Sequence, residues 1–316
     1  VRLIFLFFGL LLLSGGVSAQ KDWPTKPIRI IIPYAPGGIA DTVARIIAPM
    51  FQDALNQTVI IESKTGASGT VGTAFVAKSL PDGYTLLLGL AAPQTLSQHL
   101  GKIEYDGVKD FAPITLINTN PLVLLVNPNL SINSVADLIQ YAKANPGKLN
   151  FSGAGGLTQF AGEIFKARAG VNMVHVPYRG GAPAVTAAVA GETQLTFANY
   201  SDAIPWIESG KLRPLGVTSA SRFALNPKIP SISETLPGFT VDGWSGLFAP
   251  AGTPPEIVNR LASIVRDGFK DPALRKRMES IGAIPGGDTP EEFRVFVRAE
   301  SIKWGNFVTQ TGIKGD

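Results

Sequence analysis

The chain has 316 residues, a formal charge of +4 at pH 7, two histidines and no cysteine. That length suits one large or two medium domains, and the missing cysteine excludes disulfides, thiolate metal sites and cysteine nucleophiles. Lysines and arginines are scattered rather than clustered, which argues against a nucleic-acid partner.

The first segment, "VRLIFLFFGLLLLSGGVSAQ", has one early cation, Arg2, and an apolar core from Leu3 to Leu13. Val17-Ser18-Ala19 then fits the small-x-small cleavage rule. The pattern predicts a Sec-type signal peptide over residues 1–19, cut after Ala19. The apolar run is too short to span a bilayer comfortably, and no cysteine follows it to carry a lipid. A soluble, exported mature protein is expected.

Strand-like and helix-like segments alternate from residue 27 onward. "IRIIIPY" is almost wholly apolar, as a strand buried on both faces must be. Val43, Ile46, Ile47, Met50, Phe51 and Leu55 then recur at helical spacing, with a kink expected at Pro49. "TVIIES" reads as a strand, Thr70 to Leu80 as a helix, "YTLLLG" as a strand and "PQTLSQHL" as a short helix. "PLVLLVNP" is a strand, Ser134 to Ala144 a helix, "LNFSGAGG" a strand entering a turn, and Thr158 to Ala169 a helix. "VNMVHVPY" and "APAVTAAVAGE" make a strand and a helix. So do "TQLTFAN" and Asp202 to Ser209, before the strand "LRPLGVTS". Pro254 to the end reads as three helices. No internal repeat or low-complexity tract appears.

Such alternation predicts parallel sheets flanked by helices. Roughly nine strands sit more comfortably in two sheets than in one, so two hinged lobes are expected. The crossovers are placed at "PLVLLVNP" and "FTVDGWSGLFAP". Lobe 1 covers residues 23–122 and 241–316, with the C-terminal helix able to pack across onto lobe 2. Lobe 2 covers residues 123–240.

Glycine-bearing or small-residue turns fall where strands hand over to helices: "APGGIAD", "KTGASGT", "GLAAPQT", "SGAGGLT" and "YRGGAPA", with the glycine-free "NYSDA" beside them. In parallel lobes all land on one edge. Glycine allows close backbone approach, and helix N-termini offer free amides to an anion. The expected site residues are Tyr34, Gly37, Gly38, Asp41, Gly66, Ala67, Ser68, Gly69, Ala91, Ala92, Ser152, Gly153, Ala154, Thr158, Tyr178, Gly180, Asn199 and Asp202. Of these, Gly37, Gly38, Ser68, Ser152 and Gly153 are expected to line the anion. Tyr200 and Trp244 are also placed near the cleft, and Trp206 in the core. Asp41 and Asp202 equally suit a helix first turn or cap. As a ligand contact, Asp202 would accept from a cationic or hydroxyl group.

Enzyme readings find little support. "GAGGLT" lacks the last glycine of G-x-G-x-x-G, and no phosphate-binding loop motif exists, so no nucleotide cofactor is expected. His99 and His175 are isolated, no G-x-S-x-G elbow is present, and no metal signature appears. Nothing supplies a nucleophile with an oriented base.

"WPTKPIRIIIPYAPGGIADTVAR", "PDGYTLLLG", "VHVPYRGGAPA", "KLRPLGVTS" and "LFAPAGTPPEIVNRL" together resemble the Bug family, the extracytoplasmic solute-binding receptors of tripartite tricarboxylate transporters. The resemblance runs from about Trp23 to the C-terminus. It implies a two-lobed periplasmic-binding-protein type II fold (a Venus flytrap) with two mainly parallel sheets. It also implies a monomer that binds a small carboxylate through main-chain groups and water and delivers it to membrane permease subunits. A sensor kinase is the alternative partner, and a secreted enzyme on the same scaffold a third reading. By that likeness Gly37, Gly38 and Asp41 match the first ligand loop. Gly66 to Gly69 match the second, with Thr65 and Ser68 standing for a proline and a glycine. Tyr178 and Gly180 match a third. Two loops depart: "FSGAGGLTQF" is shorter and lacks a histidine, and "FANYSDAIP" has Ala198 for an aspartate and gains Asp202. The ligand therefore does not transfer from any relative.

Overall fold

The computed structural model describes residues 23–312; the expected signal peptide lies outside the described residues. β1 (Ile28–Ile32) pairs in parallel with β2 (Val59–Ser63) and β3 (Thr85–Leu90). β5 (Leu149–Gly153) pairs in parallel with β6 (Met173–Pro177) and β7 (Leu195–Asn199). Between these wings lie β4 (Phe111–Val126) and β9 (Asp242–Pro250), antiparallel to each other and to their neighbours. β8 (Arg213–Val217) and β10 (Ile284–Pro285) also add to β4 antiparallel. β4 belongs to both sheets and is the element through which they join.

This strand is longer than its sequence suggests. "PLVLLVNP" covers its second half, but pairing begins at Phe111 and runs for 16 residues. Pro113, in the unexpected first half, is a residue that strand interiors disfavour. In the sheet the register to β9 slips just after Pro113, as bulges that accommodate proline require.

Among the described residues ten α-helices cover the sheets: α1 (Ile39–Leu55), α2 (Thr70–Ala77), α3 (Ser97–Leu100), α4 (Val135–Ala144), α5 (Leu157–Ala169), α6 (Gly181–Ala190), α7 (Tyr200–Glu208), α8 (Pro255–Gly268), α9 (Pro272–Glu279) and α10 (Pro290–Thr311). α1 runs unbroken through Pro49. That residue is exposed, so the carbonyl it orphans opens to solvent. The first turn of "PQTLSQHL" is a π-helical turn, Ala92–Leu96, running into α3.

α1 lays Val43, Ile46, Ile47 and Phe51 against the first sheet, beside Leu261 and Val265 of α8. α4 and α5 cover the second, burying Leu138, Ile164 and Phe165 against Leu122, Leu124 and Phe197. α10 serves both halves: Phe293 and Val297 pack with Trp244 and Phe248 of β9, while Trp304 packs with the second-sheet core.

Asp242 opens β9 opposite Pro121 of β4, at the junction. Burial pushes its carboxyl up to about 6; Lys303 of α10 pulls it down and Glu300 of the same helix pushes it up. Between the unfolded value near 4 and about 6, the folded state holds a proton that the unfolded chain has released. The Asp242 contribution to stability should therefore rise as pH falls from 7 toward 4.5, by up to about 2 kcal/mol. Denaturant unfolding across that range should show this slope flattened in Asp242→Asn.

Candidate functional site

The parallel wings place six strand-to-helix turns on two facing edges. β1, β2 and β3 end in the turns before α1, α2 and the π turn. β5, β6 and β7 end in those before α5, α6 and α7. The edges touch. A methyl built on Gly156 would lie 3.3 Å from the Tyr34 hydroxyl and 3.8 Å from the Ala92 methyl, and one on Gly155 would lie 3.6 Å from Ser68 Oγ. The first-wing loops 33–38, 64–70 and 91–96 thus face the second-wing loop 153–158 across a cleft.

The helix starts on these edges share a feature. α1, α2, α5 and α6 have glycine at the N-cap (Gly38, Gly69, Gly156 and Gly180), with no side chain capping the amides; the π turn and α7 are uncapped too. Away from the cleft, Ser134, Asp271 and Thr289 accept from the amides of α4, α9 and α10, while α8 starts after Pro254 without a side-chain cap. Uncapped amides and the helix dipole favour an anion.

The second loop is strained. Gly66, Ala67, Ser68 and Gly69 have φ of 139°, 44°, 51° and 93° in succession. Each non-glycine residue in the left-handed region costs about 1–2 kcal/mol. Tyr34 supports the turn: its hydroxyl donates to the Ser68 carbonyl at 2.9 Å, and burial pushes its pKa up. Ala91 and Ala92, at the start of the π turn, are buried.

Several expected contacts prove committed elsewhere. The Asp41 carboxylate accepts the Gly37 N–H at 3.1 Å and two bonds from Arg45 Nε at 3.1 Å. The Arg45 hydrogen bond, with the Gly37 amide adding, holds its carboxyl below the usual range. Asp41 therefore shapes the first loop, and the Gly37 amide is spent on it. Ser152 is fully buried; its hydroxyl donates to the Ala184 carbonyl at 2.7 Å and pairs with Thr193 at 3.1 Å. Thr158 Oγ1 accepts the Ala154 N–H at 2.9 Å and donates to the Gly155 carbonyl at 3.0 Å, folding that loop on itself. The Tyr178 hydroxyl goes to Glu192, just past the far end of α6, at 3.0 Å. Tyr200 packs edge-to-face on Phe223 and Trp244 on Phe293. Both are core residues rather than cleft walls.

Gly153 is buried, with its carbonyl accepting from the Tyr178 amide at 2.9 Å. Gly180 holds φ of 120° where α6 begins. Asn199 and Asp202 meet: Asn199 Nδ2 donates to Asp202 Oδ2 at 3.3 Å. Sequence reasoning passed over Gly156, which meets Tyr34 across the cleft, and Asn118 and Asn120 of β4. The spacing of two in an otherwise apolar strand was the available signal for the asparagines. Two open surface pockets, about 550 Å³ beside His99 and Ser301 and about 660 Å³ beside Arg29 and Phe75, share no residue with these loops.

The model of the tripartite tricarboxylate transporter family receptor matches residues 43–313. Protein BugT of Bordetella pertussis is 33% identical over 314 residues, covering 97% of this chain and 96% of its own. Rpa4515 of R. palustris, solved with adipate, superposes with a TM-score of 0.84 at 34% identity, covering 93% of this chain and 99% of its own. MatC of Rhodopseudomonas palustris, solved with bound malate, gives 0.83 at 30% identity, covering 90% and 100%.

Proposed function

The chain belongs to the tripartite tricarboxylate transporter receptor family, and from that premise we propose that it captures a small carboxylate between its two lobes and hands it to the membrane permease of such a transporter. The receptor works in the periplasm, where a solute-binding member of this family operates. Its ligand is held by main-chain donors. The observation that carries this reading is the uncapped, glycine-headed helix starts on both edges of the cleft, set against side-chain caps on α4, α9 and α10. A carboxylate between the edges takes amides from both lobes. The closed arrangement is then favoured by the difference in affinity between the two states. The adipate- and malate-bound relatives support the same ligand class.

Thermal unfolding in the presence of a panel of mono-, di- and tricarboxylic acids tests it. An acid present at 100 times its dissociation constant should add about 2.7 kcal/mol of stability. Amines and sugars lacking a carboxylate should add none. Stabilisation by the sugars with silence from every acid would overturn the reading. Hand-over is checked by ligand-dependent association of the loaded receptor with the permease subunits in detergent.

A further inference from the structure

Asp202 stands in the first turn of α7, half-buried, and no lysine or arginine pairs with it among the described residues. Its Oδ2 accepts from Asn199 Nδ2 and lies against the α carbon of Gly181, where any Cβ would collide with it. Its Oδ1 takes no hydrogen bond from the described residues. Burial pushes this carboxyl up, opposed by the Asn199 amide.

Behind Asn199 the donors line up. The Ser245 hydroxyl on β9 donates to Asn118 Oδ1. Asn118 Nδ2 donates to Asn120 Oδ1 at 3.1 Å, and Asn120 Nδ2 to Asn199 Oδ1 at 3.5 Å. Asn118 and Asn120 lie two apart on β4 and so share a face. Every link donates in the same sense, from β9 through the crossover strand to Asp202. Amide dipoles aligned this way reinforce one another and present their positive end to the carboxylate. The Asn199 amide favours the ionised carboxylate against the opposing effect of burial, and no lysine or arginine among the described residues neutralises it. A half-buried charge without a partner is costly. It persists where a ligand completes the pair.

We infer that Asp202 determines the ligand's class: the cleft takes an amine-bearing carboxylic acid, its ammonium on Asp202 Oδ1 and its carboxylate on the uncapped amides. This rests on the carboxylate-receptor reading above. A plain diacid would set a second negative charge against Asp202, and a hydroxy acid would leave its charge uncompensated. The asparagines are positioning residues, acting through Asp202.

Calorimetry on the mature protein with matched probes tests it: aspartate against succinate and malate, glutamate against glutarate, 6-aminohexanoate against adipate. The tightest probe should carry an amine and exceed its amine-free counterpart at least tenfold, about 1.4 kcal/mol. Asp202→Asn should erase that preference while still binding the amine-free acid. Gly181→Ala keeps the carboxylate but displaces it, and Asn120→Ala removes one link of the relay. Each should shrink the preference without abolishing acid binding. Succinate, malate, glutarate or adipate binding the wild type as tightly as its amine-bearing counterpart would overturn the inference and leave the receptor reading standing. So would a tenfold preference that survives Asp202→Asn. Silence from every acid would overturn both.

Discussion

Gly69→Ala should unfold about 2–5 kcal/mol more easily than the parent protein and bind its acid ligand more than tenfold more weakly, measured by denaturant titration and calorimetry. Two costs add. Gly69 holds φ of 93°, where an L side chain costs about 1–2 kcal/mol. The new methyl would also lie 3.0 and 3.1 Å from the Tyr34 ring and 3.2 Å from Pro93 Cγ, and overpacking a buried position costs about 1–3 kcal/mol. Tyr34 has little room to retreat, because its hydroxyl bonds the Ser68 carbonyl and faces Gly156 across the cleft. A shifted Tyr34 moves the strained loop that precedes α2, and with it the amides expected to hold the ligand. Two neighbours separate the causes. Gly37 has φ of 86° but no atom within 4 Å of an added methyl, so Gly37→Ala should show the strain alone, about 1–2 kcal/mol. Gly38 has φ of −81° and only the Ala35 carbonyl at 3.8 Å, so Gly38→Ala should stay within about 0.5 kcal/mol. If Gly69→Ala behaves like Gly37→Ala in both stability and binding, the contact with Tyr34 does not set the cleft edge.

The turn that carries this effect was visible in the sequence because its cause is local. Glycine where a strand hands over to a helix reports a backbone requirement within a few residues. Strand and helix alternation is local too, and the wings β1–β3 and β5–β7 follow from it. What a side chain does once placed is not local. Asp41, Ser152 and Thr158 look like cleft residues by position. Asp41 and Thr158 are taken up four residues away, by Arg45 and Ala154, and Ser152 by Ala184 of α6 and Thr193 in the turn after that helix. For Tyr200 and Trp244 the sequence left both roles open: an aromatic near a lobe junction can wall a pocket or fill a core, and the packing partners decide. The first half of β4 was hidden by its own residues, since Pro113, Asn118 and Asn120 are turn formers in isolation. They are accommodated here by a register slip and by hydrogen bonds between side chains. Asp202 stood out in the sequence as a departure from its relatives' pattern. Its relay did not, because the links come from β4, β7 and β9, as far as Ser245.

Trp304→Ala should cost about 3–5 kcal/mol and lower the melting temperature by about 5–8 °C, with a loss of ligand affinity; its core neighbours include Ala92 and Leu96 of the π turn. α10 is anchored at both ends. Phe293 and Val297 sit in the core shared by β9 and α2, and Trp304, 1% exposed, sits in the core of the second wing with Leu122, Leu124 and Phe165. Phe293 and Trp304 lie about 16 Å apart along the helix at 1.5 Å per residue, so one rigid element ties the two wings across the β4 crossover. Truncating the indole leaves a cavity at the tie and frees the lobes to separate. That separation lowers the population of the closed state and weakens apparent binding by the same fraction. The indole N–H is buried without an acceptor among the described residues, which costs about 1–3 kcal/mol in the parent protein. Trp304→Phe removes that cost while keeping most of the ring, and should therefore lie within about 1.5 kcal/mol of the parent, with near-normal affinity. Phe293→Ala, in the other core, should destabilise comparably. Small-angle scattering without ligand separates tie from packing. Trp304→Ala should give a larger radius of gyration than Trp304→Phe under conditions where both are folded. Equal radii and equal affinities would mean that β4 and β9 alone set the angle between the lobes.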